Sequence, residues 1–222
     1  DAPQEVGVQG VDDEVADGNV DYQVTVEAVN STDPDYEGLA VDATVALSNI
    51  DDDSASVSLD VGDGVVVQES GTDDVFEVRL NSEPTGDVVF DVTAPSGAAD
   101  EVEVSPSTFT VTPTNWVSPV QVTVTGQDDD VADGDQTFDL SVTVDEMATA
   151  DADYAALGPF PVEATNIDDD SPGAIVTLLE EPMRTDEGGD TATFEVQLTS
   201  APTGNVTFEV RSSDPDEGTT DA

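Results

Sequence analysis

Apolar residues in this chain fall at every second position, in short runs, and the runs come back. Phe76, Val78 and Leu80 alternate with Glu77 and Arg79. Past the turn residues Glu83-Pro84-Thr85-Gly86, Val88, Phe90 and Val92 alternate in the same way. Val120, Val122 and Val124 make a third run; Phe138, Leu140, Val142 and Val144 make a fourth. Successive side chains on a strand point to opposite faces, so each run buries one face and wets the other. Val, Phe and Thr suit a half-buried pleated surface, and Pro, Gly, Asp and Ser break it between runs. No stripe at the helical period of about 3.6 persists beyond roughly two turns. The pattern predicts an all-β chain built as an antiparallel sandwich.

The runs also repeat at long range. Phe76-Glu77-Val78-Arg79-Leu80 returns as Phe194-Glu195-Val196-Gln197-Leu198, and Pro84-Thr85-Gly86 as Pro202-Thr203-Gly204. Val88, Phe90 and Val92 return as Val206, Phe208 and Val210. The offset of about 118 residues is the size of one Ig-like sandwich, so tandem Ig-like modules are expected. Residues 1–53 read as the C-terminal half of a module, 54–170 as a complete module, and 171–222 as the N-terminal half of a further one. Pro3 and Val6 align with Pro119 and Val122, while Ser105 to Trp116 has no counterpart at either end. Two expectations follow. One is a stretch of a longer tandem array. The other is a filament subunit, in which the half-modules of neighbouring chains complete each other head to tail across open sheet edges.

Charge narrows the possible partners. The 52 acids stand against 3 basic residues, all Arg, for a formal charge of -49. Self-repulsion of this size destabilises a compact state unless molar salt cuts the screening length to about 3 Å or bound cations neutralise the carboxylates. The absence of Lys and the spread of acids along the whole chain point to a high-salt organism. Nucleic acid and anionic membranes are expected to be poor partners, since phosphate binding needs clustered Lys and Arg. No run of about 18 apolar residues is present to insert into a bilayer. No basic-then-apolar signal segment follows Asp1. With no Cys and no His, Ser–His and Cys–His catalysis and thiolate metal sites are unavailable. With no Lys, a phosphate-cradling loop of the P-loop type is also unavailable. A carboxylate pair could cleave glycosides, but 3 Tyr, 1 Trp and 7 Phe do not suggest an aromatic cleft. A non-catalytic role is expected.

The acids are not evenly scattered. Asp51-Asp52-Asp53 and Asp168-Asp169-Asp170 each follow Asn-Ile and each close a module. Upstream lie Asp12-Asp13-Glu14-Val15-Ala16-Asp17-Gly18 and Asp128-Asp129-Asp130-Val131-Ala132-Asp133-Gly134. Carboxylates packed this closely repel unless a cation lies between them or salt screens them. Ca2+ wants about 6 to 8 oxygens, whereas Mg2+ is poorly suited to a crowded, dehydrated cage. An extended Asp triplet cannot aim all its side chains at one ion, because neighbours point to opposite sides. The 128–133 turn is the natural second donor. The EF-hand pattern fails: counting from Asp129, Val131 stands at the third position and Leu140 at the twelfth. The plainer alternative is a set of solvated acidic turns.

Taken in order, Glu69, Phe76 to Leu80, Asn115-Trp116, Asp128 to Asp130 with Asp133, and Ile167 to Asp170 resemble the Calx-β family of calcium-binding sandwiches. The resemblance covers essentially the whole chain. It implies Ca2+ ligands at one end of the complete module: Glu69, Asp100, Asp129, Asp130, Asp133, Asp168, Asp169 and Asp170. By the same pattern it implies Asp12, Asp13, Asp17, Asp51, Asp52 and Asp53 in the front half and Glu187 in the back half. The chain departs from the family at Gln136, where a second Glu is common, and the match around Asp100 is loose.

Three functional expectations result. The first is an extracellular, cell-surface adhesive rod whose junctions are stiffened by calcium, gripping a surface or glycan target that the sequence does not name. The second is the strand-exchanged filament. The third is a regulatory calcium sensor, disfavoured because no membrane or partner-docking segment accompanies the modules. Trp116 is read as a core or strand-end residue. Asp35-Tyr36 and Asp153-Tyr154 are read as fixing the late loop of each module. Asn30 and Asn205 fit the glycosylation acceptor pattern.

Overall fold

The computed structural model describes residues 2–26, 31–38, 43–98 and 100–220. Asn30, one of the two glycosylation acceptors, lies outside them. In the front segment, β1 (Val20–Val26) and β2 (Ala43–Asn49) form an antiparallel ladder. The central segment holds β3 (Val57–Asp60), β4 (Val65–Gln68), β5 (Asp73–Leu80), β6 (Val88–Thr93) and β7 (Val102–Ser105). It continues with β8 (Thr108–Val111), β9 (Val120–Gly126), β10 (Gln136–Val144), the helical turn α1 (Ala152–Ala155) and β11 (Phe160–Ile167). In the back segment, β12 (Ala174–Leu178) pairs with β13 (Phe194–Leu198).

The central strands make a two-sheet sandwich. One sheet has the order β3-β5-β9-β7, the other β4-β11-β10-β6-β8. Their inner faces are the alternating apolar positions read from the sequence. Phe76, Val78 and Leu80 from β5 and Val122 and Val124 from β9 meet Val88, Phe90 and Val92 from β6 and Leu140 and Val142 from β10 in one core. Each fully buried side chain of this size stabilises the fold by roughly 1.5–3 kcal/mol before entropy is counted. Trp116 packs against that core from the turn before β9.

One ladder departs from the antiparallel expectation: β4 runs parallel to β11, with Val65 opposite Ala164 and Gln68 opposite Ile167. The chain leaves β3 in the first sheet and enters β4 in the second through a turn at Gly62 and Gly64. Their φ values of 54° and 108° are backbone states that residues with a Cβ rarely adopt. The change of sheet reverses the expected pairing and brings the end of β4 beside the end of β11.

The helical turn was below the reach of periodicity because it spans only 4 residues. It is specified by its cap instead. The Asp151 carboxylate accepts from the Asp153 and Tyr154 N–H groups at 2.9 and 3.0 Å, and from the Thr85 N–H and hydroxyl. Desolvation pushes the Asp151 carboxyl up, but these donors outweigh it and hold it below the usual carboxylate range. Tyr154, fully buried, donates its hydroxyl to the Ser82 carbonyl at 2.8 Å. The late loop is thus fastened by Tyr154, as the Asp153-Tyr154 pair suggested, but with the Asp151 carboxylate in place of that of the exposed Asp153. In the front segment, by contrast, Tyr36 is exposed.

Candidate metal centre

The site grows from the meeting of β4 and β11. Beyond Gln68 the chain places Glu69 against Ile167, whose carbonyl accepts the Glu69 N–H at 3.1 Å. The end of β9 passes close by at Gly126, where a Cβ would strike the Gln68 carbonyl. Asn166 clips the ends of the strands together, donating to the carbonyls of Glu101 and Gln127 at 3.0 and 3.2 Å. Glu69 is therefore only 1% exposed, although it is a charged residue in an otherwise acidic surface.

Among the described residues, Glu69, Asp129 and Asp170 form one group whose carboxylate oxygens lie within 4.8 Å of one another. The Glu69 Oε2 and Asn166 Oδ1 atoms are buried without a hydrogen-bond partner among those residues. A buried unpaired carboxylate oxygen is costly. Burial pushes the Glu69 carboxyl from 4.5 up to about 7. Repulsion from Asp168, Asp129 and Glu101 adds to the rise, and the Asp169 N–H donated to its carboxylate opposes it. The Asp170 carboxyl is also pushed up, by desolvation and by Asp168, Asp130, Asp169 and Asp128.

The rest of the expected set divides by role. Asp168 is occupied by backbone: its carboxylate accepts the Gly134 N–H at 2.6 Å and the Asp170 N–H at 2.7 Å. It orders the triplet and the 128–134 loop while adding negative charge beside Glu69. Asp169 serves Glu69 through its N–H, and its side chain is exposed. The exposed Asp130 contributes its carbonyl to the next module, accepting the Ala201 N–H at 2.5 Å. Asp133 and Asp100 are exposed and stand outside the group of three. Beside Asp100, the half-buried Glu101 reaches inward, with its carboxylate 3.3 Å from the Asn166 amide nitrogen. Sequence reasoning missed Glu101, and alternation could not have found it: counted back from Val102 the period of two favours Asp100, whereas Glu101 lies in the turn before β7. Gln136 donates to the Gly134 carbonyl at 2.8 Å, so it braces the loop.

The front cluster repeats this wiring without its lid. Asp51 accepts the Gly18 N–H at 2.6 Å and the Asp53 N–H at 2.8 Å, as Asp168 does one module later. Asp13 accepts from Val15 as Asp129 accepts from Val131. Asp12, Asp13, Asp17, Asp51, Asp52 and Asp53 line a cavity of about 220 Å³. Desolvation and the carboxylates of Glu14, Asp51, Asp52 and Asp12 push the Asp53 carboxyl up. Glu187 is exposed in the back segment, away from this group.

Three converging carboxylates, with a buried orphan oxygen among them, form an all-oxygen donor set that fits a hard divalent cation. Side-chain carboxylates here can supply up to about six oxygens, leaving carbonyl or water to complete a Ca2+ shell. No protein-family model matches the chain, and no curated protein matches it. No helix among the described residues is long and apolar enough to cross a membrane.

Proposed function

We propose that this chain is a non-catalytic, extracellular structural protein of the Calx-β type, in which Ca2+ fixes the junctions between successive sandwich modules. One observation carries the reading: Glu69 is buried with an unpartnered carboxylate oxygen beside Asp129 and Asp170. Glu69, Asp129 and Asp170 would hold the ion, and its charge would offset the repulsion that raises the Glu69 carboxyl. The wiring around them makes the junction sensitive to it. Asp129 belongs to the loop whose Asp130 carbonyl takes the Ala201 N–H of the next module. Asp170 directly precedes Ser171, where that module begins. An ion between them ties the exit of one sandwich to the entry of the next, which supports an adhesive or scaffolding rod over a free-standing sensor.

Isothermal titration of Ca2+ into chelator-stripped protein, in multimolar KCl, tests the reading. Binding heat and a higher melting temperature are expected. The absence of both, together with unchanged small-angle scattering on adding chelator, would sink it.

A further inference from the structure

At the end of the complete module where the carboxylates converge, the two sheets meet backbone to backbone. Gly126 ends β9 in one sheet, and the Gln68 carbonyl at the end of β4 in the other lies so near that a Cβ on Gly126 would strike it. The Gly126 N–H also donates to the Thr72 carbonyl, in the turn after β4, at 3.1 Å. In the body of a sandwich the layers stand about 10 Å apart with side chains between them. Here no side chain fits, and the gap closes to a seam.

Asn166 fastens that seam. It follows Val162 and Ala164 at the inward positions of β11, where alternation calls for an apolar side chain, and it is fully buried. Its amide nitrogen crosses to the other sheet and donates to the Glu101 carbonyl before β7 and the Gln127 carbonyl after β9. The Gln127 N–H itself donates to the Glu101 carbonyl at 2.8 Å, so one amide grips both strand ends of the far sheet. Its Oδ1 faces Gly126 and has no donor among the described residues. An unpaired buried oxygen costs about 1–3 kcal/mol, a cost that a Val at this position would not carry. Core stability alone gives no reason for an amide here. The pair also recurs one module earlier: Gly10 lies against the Asn49 Oδ1, and Asn49 donates to the Val11 carbonyl at 2.9 Å.

The three converging carboxylates straddle the seam. Glu69 and Asp170 prolong β4 and β11 of one sheet, and Asp129 prolongs β9 of the other. Asp129 stands two residues past Gln127, and Asp170 four past Asn166. The separation of the sheets at the seam thus governs how far Asp129 stands from Glu69 and Asp170. Their oxygens lie within 4.8 Å of one another. Opposite ligands are about 4.6–5.2 Å apart around Ca2+ and about 4.0–4.2 Å apart around Mg2+, twice the respective bond lengths. A seam that cannot narrow favours the larger ion.

We propose that Asn166, with Gly126 opposite it, is the positioning residue that sets the size of ion this site accepts. It holds the sheets at one separation before any ion arrives, so that Ca2+ fits and Mg2+ would have to draw the sheets together. Asn166 is not one of the three converging acids; it acts through Gln127, from which the acidic loop departs, and through Glu101. The proposal rests on the cation reading above and adds the origin of its selectivity.

Competition titrations of Ca2+ and Mg2+ into the full chain, in multimolar KCl, test it. The central site is taken as the binding that Glu69→Gln removes. Asn166→Val deletes both donations across the seam and is expected to weaken Ca2+ binding by about 10- to 100-fold. Mg2+ binding is expected to change far less, so the preference for Ca2+ shrinks. A folded Asn166→Val protein with the wild-type preference, or one that loses both ions by the same factor, overturns the proposal. A second measurement needs no variant to fold. In NMR of calcium-free wild type, the Asn166 side-chain amide protons are expected to be protected from solvent exchange already. Fast exchange that slows only when Ca2+ is added would mean that the ion makes the seam, and overturns the proposal. Failure of the wild type to bind either ion overturns the cation reading and the selectivity with it. Binding with an unaltered preference in Asn166→Val overturns the role of Asn166 alone.

Discussion

The front segment and the complete module contain the same ladder and the same acidic loop, yet one is half a structure and the other a whole one. In both, an Asp at the start of the triplet accepts a glycine N–H from the loop upstream, at 2.6 Å in each case. In both, a loop carbonyl reaches the next module, Glu14 to the Glu83 N–H and Asp130 to the Ala201 N–H. What the front segment lacks, among the described residues, is the opposing sheet and the buried glutamate. Local wiring therefore forms from local sequence, while burial of Phe, Val and Glu69 requires two halves. Carboxylates become a candidate centre only when the second half lowers Glu69 among them.

The sharpest way to break this comparison is to truncate equivalent aromatics. Phe90→Ala should cost roughly 3–5 kcal/mol in urea denaturation of the complete module. Phe208→Ala in dilute monomer should stay within about 0.5 kcal/mol. Equal losses would mean that the back segment is already packed. Calcium comes next: at about 100 times its dissociation constant, it should stabilise the complete module by about 2.7 kcal/mol. Glu69→Gln should remove most of that gain while raising the melting temperature of the calcium-free protein. Tyr154→Phe, which strips the bonds to Ser82, should cost about 1–3 kcal/mol, against almost nothing for Tyr36→Phe. The smallest effect is the pH response without calcium. Because the Glu69 carboxyl lies at about 7 in the fold against an ordinary value of 4.5, the native state holds the extra proton between them. Stability should accordingly fall as pH rises from about 4.5 to 7, with calcium reversing the loss at the upper end. A flat thermal-melting profile across that window would place Glu69 in water.

Strand identity was legible because period-two alternation is a local signal, and β5, β6, β9 and β10 fall where Phe76, Val88, Val120 and Phe138 begin their runs. The parallel β4–β11 ladder was not legible, since it depends on a change of sheet at Gly62 and Gly64 that no alternation encodes. The acidic clusters were visible as composition, and their repeat placed them at module ends. Which acids converge was hidden. The triplet Asp168-Asp169-Asp170 sends one carboxylate to backbone, one to solvent and one toward Glu69, a division that sequence cannot assign to particular members. Glu101, rather than Asp100, is the half-buried one although alternation from the buried Val102 would favour Asp100, because Glu101 lies in the turn before β7, where the period of two does not hold.

The parallel pairing of β4 with β11 has a mechanical consequence. A chain stretched from both ends pulls the start of β4 one way and the end of β11 the other. Tension therefore runs along the ladder from Val65 opposite Ala164 to Gln68 opposite Ile167. In that geometry the interstrand bonds are loaded in shear and must break together, whereas a hairpin pulled from its open end unzips one bond at a time. The last rung of the ladder abuts Glu69, so a cation held there would sit where the load leaves the module.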